Sequence, residues 1–150
     1  MYPWVSWNPI GGCYHRCSYC YLNFFPAYDI KPRLREKELE TNLGHGRTIF
    51  VGSASDMWGS FVPAEWIRKV IDHCKKFENR YLFQSKNPMR FFDLEMPESV
   101  IVGTMIETNR DWLVNTKALA VDQRAMALSY YKAGVEKMVS IEPICIRCLG

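Results

Sequence analysis

The residues best suited to chemistry stand in one run, Cys13-Tyr14-His15-Arg16-Cys17-Ser18-Tyr19-Cys20. Three cysteines at spacing C-x3-C-x2-C put three soft donors on one short loop. Such a set can wrap one compact metal centre, and thiolate suits an iron–sulfur cluster or zinc. A structural site of either kind usually has four ligands. Three with no adjacent fourth leave one metal position open, as a catalytic site requires. A zinc site completed by His15 or by a distant residue is the alternative. Otherwise His15 reads as a solvated loop residue.

The other cysteines give no disulfide framework. Cys74 is alone, and Cys145 and Cys148 form a C-x2-C near the end of the sequence. Clustered cysteines of this kind more often bind metal in a reducing compartment than pair with one another. Cys145 and Cys148 lack two further ligands, since Cys74 falls on the apolar face of a predicted helix.

The elements that position the loop follow from the apolar pattern. The 150 residues suit one domain over residues 1–150, and 48% hydrophobic content supports a core. Val5 to Trp7 is a strand candidate, ended by Asn8-Pro9 and opened into a loop by Gly11-Gly12. Tyr21 to Asp29 reads as loop with at most a turn of helix. Leu34 to Leu43 has a loose helical period stopped by Gly44. Thr48 to Gly52 is a buried strand. Pro63 opens a helix with Trp66, Ile67, Val70, Ile71, Cys74 and Phe77 on one stripe. Tyr81 to Ser85 is the next strand, with a short helix at Met89 to Leu94. Val100 to Ile106 is a strand, residues 110 to 120 a loop, and Val121 to Tyr131 a helix with Val121, Ala125, Leu128 and Tyr131 on one face. Lys137 to Ile141 is the last strand.

Strands alternating with helices predict parallel crossovers. Polar residues follow the strand ends: the cysteines, then Ser53 to Asp56, Gln84-Ser85-Lys86, Glu107-Thr108-Asn109, and Glu142. Chemistry sits at such carboxyl ends in parallel α/β folds. Asp56 also suits a turn acid, and Glu107 and Glu142 also suit ion pairs at strand ends. Trp4, Trp7, Phe24, Phe25 and Trp58 read first as packing residues.

Net charge of +3 with 23% charged residues is too mild to indicate nucleic acid. Lys31, Arg33, Arg35 and Lys37 are interleaved with Glu36, Glu38 and Glu40, as on a solvated face. No apolar run is long enough to span a bilayer, so no membrane partner is expected. With no basic-then-apolar leader pattern, a cytoplasmic address is the expectation.

Cys13-x3-Cys17-x2-Cys20, with Tyr19 directly before the last cysteine, resembles the signature of the radical S-adenosylmethionine (SAM) superfamily. Trp7-Asn8-Pro9-Ile10-Gly11-Gly12, Phe50 to Met57, Glu107 to Arg110 and Ser140 to Ile144 together resemble its phage Gp37/Gp68-type (DUF5131-like) branch. The resemblance implies a [4Fe-4S] cluster on Cys13, Cys17 and Cys20, with SAM on the fourth iron. It implies reductive cleavage of SAM to a 5′-deoxyadenosyl radical, which abstracts hydrogen from a substrate the sequence does not name. An electron donor such as flavodoxin or ferredoxin is implied as a partner. Tyr19 matches the residue that contacts adenine. Ser53, Ser55 and Asp56 lie where the superfamily has a loop for the SAM amino group, with Asp56 as its acid. The resemblance makes Glu107 and Asn109 candidates for polar contacts to SAM, and Glu142 a candidate for facing SAM or substrate.

The implied fold is a partial parallel (β/α) TIM-type barrel. Such cores usually have six strands, and a full (β/α)8 barrel takes about 250 residues. A chain truncated after the fifth strand is therefore expected, with residues 145–150 as an atypical tail and Met138 to Ile141 unpaired on one side. The alternative function is a non-catalytic remnant that binds an iron–sulfur cluster or zinc.

Overall fold

The computed structural model describes residues 4–108 and 116–142. In chain order the elements are β1 (Trp4–Trp7), β2 (Ile10–Gly11), β3 (Arg33–Leu34), β4 (Thr48–Val51), α1 (Ala64–Cys74), β5 (Arg80–Gln84), β6 (Val100–Met105), α2 (Val121–Tyr130) and β7 (Glu136–Ser140). Short 3-10 turns cover Tyr21–Phe24, Glu36–Glu40 and Pro88–Asp93.

The apolar runs form one sheet, ordered β1-β4-β5-β6-β7. Each neighbouring pair is parallel. The strands thus lie in the order of the chain and never reverse, as in a partial (β/α) barrel. Among the described residues the sheet is open, with β1 and β7 at its edges. Because every strand runs the same way, all five carboxyl ends fall on one edge.

The strands alternate faces. Ile49 and Val51 are buried in β4 while Thr48 and Phe50 are half-buried. Helix α1 covers the sheet with Ile67, Val70, Ile71 and Cys74, all buried, and starts directly after Pro63. Trp58 sits edge-on to Phe83 and Phe91, with centroids at 5.4 and 4.9 Å, and is fully buried. Burying each such ring contributes about 1.5–3 kcal/mol.

Four sequence expectations change. Residues Leu34 to Leu43 do not make a helix. Leu34 pairs instead with Ile10 in an antiparallel β2–β3 ribbon, which leaves one turn at Glu36–Glu40. The inner face of α2 carries Arg124 in place of Ala125, for reasons given below. Phe24 and Phe25 are not packing residues, being 83% and 59% exposed. His15, expected in solvent, is buried.

Candidate functional site

The cysteine loop leaves β1 at the carboxyl edge of the sheet and is shaped by its backbone. Gly12 has φ +79°, and a Cβ there would stand 2.1 Å from the Lys31 carbonyl oxygen, so only glycine fits against the Lys31-Pro32 backbone that leads into β3. Arg16 adopts φ 52°, the left-handed region, and turns the chain between Cys13 and Cys17. The Cys20 N–H then donates to the Cys17 carbonyl at 3.0 Å, and Asn23 Nδ2 donates to the same oxygen at 3.1 Å. Cys17 is buried, whereas Cys13 and Cys20 are partly exposed. All three are free thiols.

Two polar systems tie this loop to the strand ends. The first centres on Asp56, after β4. Its carboxylate accepts the Trp58 N–H at 3.0 Å, the Lys86 N–H at 2.8 Å and the Ser85 hydroxyl at 2.8 and 3.0 Å. Nε2 of His15, on the cysteine loop, lies 2.8 Å from Oδ2. Burial alone would raise the Asp56 carboxyl, but the bonds from His15, Ser85 and the Lys86 backbone outweigh it and hold the group below its ordinary range.

The second system centres on Glu107, after β6. Its carboxylate bonds Lys86 Nζ and the Tyr19 hydroxyl, and it accepts from Arg124 Nη2 at 2.8 Å. Lys86 Nζ also lies 2.7 Å from the Tyr19 hydroxyl and 4.9 Å from its ring centre. Burial pushes the Glu107 carboxyl up, but Arg124, Lys86 and Tyr19 together bring it to about 2. Burial, reinforced by Glu107, drives the Tyr19 phenol well above its usual range. Burial, then the charge of Asp56, pushes the Cys13 thiol up to about 12.

The β4 loop is built from inside. Gly52, at φ +84°, lets the chain turn back after β4. Ser53 Oγ lies 3.2 Å from Asn8 Nδ2, Ala54 N–H donates to Asn8 Oδ1 at 2.8 Å, and the Ser55 hydroxyl donates to the Ile10 carbonyl at 2.6 Å. Ser53 and Ser55 therefore bind the chain leading into the cysteines.

Cys13, Cys17, Cys20, Tyr19, Ser53, Ser55, Asp56 and Glu107 thus come together at one edge. Glu142 follows the carboxyl end of β7 on the same edge and is exposed there. Asn109, Cys145 and Cys148 lie outside the described residues. Sequence reasoning missed Lys86 as a network member and missed Arg124 altogether. Arg124 occupies an inward position of α2, three residues after Val121 and four before Leu128, so a charge inside an apolar stripe was the available signal.

Among the described residues, no three His, Cys, Asp or Glu side chains are grouped to hold a metal ion. A cubane cluster spreads its sulfur ligands over separate irons, so its ligands stand farther apart than donors to a single ion. The donor set fits a cluster in kind: three free thiols on one loop, with the adjoining carboxylates of Asp56 and Glu107 already bonded elsewhere. A cleft of about 940 Å³ lies at the opposite edge, lined by Thr48, Arg80 and Ser99, and none of these three cysteines borders it.

No protein-family model and no curated protein matches the sequence, so the likeness to the phage branch gains no support. Solved structures do match. A Cys-to-Ser mutant of spore photoproduct lyase superposes with a TM-score of 0.70 at 17% identity, over 93% of this chain and 45% of that one. A Cys-to-Ala mutant of the same enzyme gives 0.66 at 16%, over 90% and 44%. The chain therefore spans a little under half the length of these structures. Spore photoproduct lyase is a radical SAM enzyme, and the fold of this chain is similar to its fold.

Proposed function

We propose that the chain is a radical SAM protein that binds a [4Fe-4S] cluster on Cys13, Cys17 and Cys20, with SAM as its co-substrate. The observation that carries the reading is the seat of the cysteine loop. It follows the first strand of a sequentially ordered parallel sheet and is tied to the polar ends of β4, β5 and β6. The likeness of fold to spore photoproduct lyase supports it.

Once bound and reduced by a donor of the flavodoxin or ferredoxin type, the cluster would supply the electron that splits SAM and starts hydrogen abstraction. The chain's own residues prepare the place. Cys13 and Cys20, partly exposed, offer their thiols from the mouth of the loop, and Cys17 from its buried side. Glu107 and Lys86 fix the Tyr19 ring by its hydroxyl, and with Lys86 Nζ over one face of the ring the other face would take an adenine. Ser53 and Ser55 shape the wall beside the loop. Asn109 and Glu142 stand as further candidates for polar contacts to SAM or substrate.

The test uses anaerobically reconstituted protein. Calorimetry should show SAM binding, and reduction should release 5′-deoxyadenosine. A cluster-loaded chain with no SAM affinity would instead favour a non-catalytic iron–sulfur protein.

A further inference from the structure

His15 stands between two of the thiols and is fastened on three sides. Its Nε2 lies 2.8 Å from Asp56 Oδ2. Its ring meets Phe61 edge-on, with centroids 5.1 Å apart. Its carbonyl accepts the Lys117 N–H at 2.7 Å and lies 3.4 Å from the Thr116 hydroxyl, which in turn lies 3.2 Å from Cys17 Sγ. The loop needs such fastening. Gly12 and Arg16 both hold positive φ, and a non-glycine residue in that region persists only when its surroundings dictate it.

Asp56 is the other half of the contact. An ionised carboxylate offers about four lone-pair sites. The donors from His15, Ser85, Trp58 and Lys86 take them up. The side chain is 6% exposed, and nothing is left over for the ammonium group of a ligand.

We infer that His15 and Asp56 are positioning residues, a latch that seats the cysteine loop on the carboxyl ends of β4 and β5 and fixes where Cys13 and Cys17 stand. The purpose of the latch rests on the proposed cluster site, whereas its geometry does not. Asp56 then acts on the cluster through His15 and does not grip the SAM amino group, the role that the family resemblance implies for it.

The experiment reads the loop with and without a cluster. In the metal-free chain, alkylation of Cys17 and Cys74 is timed by mass spectrometry in wild type, His15→Phe, His15→Gln and Asp56→Asn. Cys74, fully buried in α1, reports opening of the whole domain. Loss of a hydrogen bond to a charged group should speed Cys17 alkylation about tenfold or more in His15→Phe. Cys74 should stay slow, and His15→Gln, which keeps a donor, should return towards wild type. After reconstitution, His15→Phe should lose iron to a chelator about tenfold faster, and Asp56→Asn, whose amide oxygen can still accept from His15 but carries no charge for an ammonium group, should keep Cys17 slow and bind SAM within about threefold of wild type.

Unchanged Cys17 kinetics in His15→Phe would overturn the latch. So would equal acceleration at Cys74, which would make the pair a support of the whole domain. A tenfold loss of SAM affinity in Asp56→Asn, with Cys17 still slow, would restore the amino-group role. A wild-type chain that takes up no iron and sulfide, while His15→Phe still releases Cys17, would sink the cluster reading and leave the latch standing.

Discussion

Replacing Glu107 with Gln removes the carboxylate that holds Lys86, Arg124 and Tyr19 in one buried set. The side chains of Glu107, Arg124 and Lys86 are 0%, 1% and 7% exposed. Two cations would remain with no charged partner described for either. Breaking such a buried pair costs about 3–5 kcal/mol, because the stranded charge cannot recover its hydration. Domains of this size have about 5–15 kcal/mol in total. With a urea dependence of about 1–3 kcal/mol per molar, the unfolding midpoint should fall by roughly 2 M. The variant should also lose a pH signature. The folded carboxyl sits at about 2, below its ordinary 4.5, so its stabilisation is complete above about pH 4.5 and fades as the pH falls towards 2. Wild type should weaken across that window, and Glu107→Gln should be flatter there. Urea melts at several pH values, followed by circular dichroism, give both readouts. A midpoint within about 0.5 M of wild type, or an acid limb identical to that of wild type, would refute the buried-network account.

Other substitutions probe the loop and its support. Gly12→Ala drives a Cβ to 2.1 Å from the Lys31 carbonyl oxygen at a positive φ. It should cost about 3 kcal/mol or more and lower the melting temperature by roughly 6 °C or more, and a change under about 2 °C would contradict the close approach. Ser85→Ala deprives both Asp56 oxygens of a donor. It should cost about 1–2 kcal/mol. Because the folded Asp56 carboxyl then rises, acid unfolding should begin at a higher pH than in wild type, and an unchanged onset would argue against the hub. Cys74→Ala should keep full iron and sulfide content while losing about 1 kcal/mol, since that thiol is buried in α1 away from the loop. Loss of iron in that variant would place Cys74 in the metal site.

Much of the fold was legible because its strands are short apolar runs and α1 has a regular stripe. Thr48 to Val51, Val100 to Met105 and Ile67 to Cys74 fall where the pattern puts them. The β2–β3 ribbon was not legible. Two-residue strands carry no period, and their pairing of Ile10 with Leu34 is a tertiary event. The cysteine spacing gave the candidate centre directly. The supports around it were harder to read. Asp56 and Glu107 stood out as polar residues after strands, but nothing local says that each would be saturated by partners far along the chain. The Asp56 contact to His15 spans 41 residues and that of Glu107 to Tyr19 spans 88. A buried histidine inside a polar loop and an arginine inside a helix stripe are where tertiary hydrogen bonding overrode local character.

The central claim is that Cys13, Cys17 and Cys20 hold an iron–sulfur cubane. Anaerobic reconstitution followed by iron, acid-labile sulfide and zinc analysis tests it most directly, with Cys17→Ala as the control. The account predicts about four irons and four sulfides per chain in wild type, and loss of that content in the variant. Zinc without sulfide, or a Cys17→Ala chain that keeps a full cluster, would contradict it.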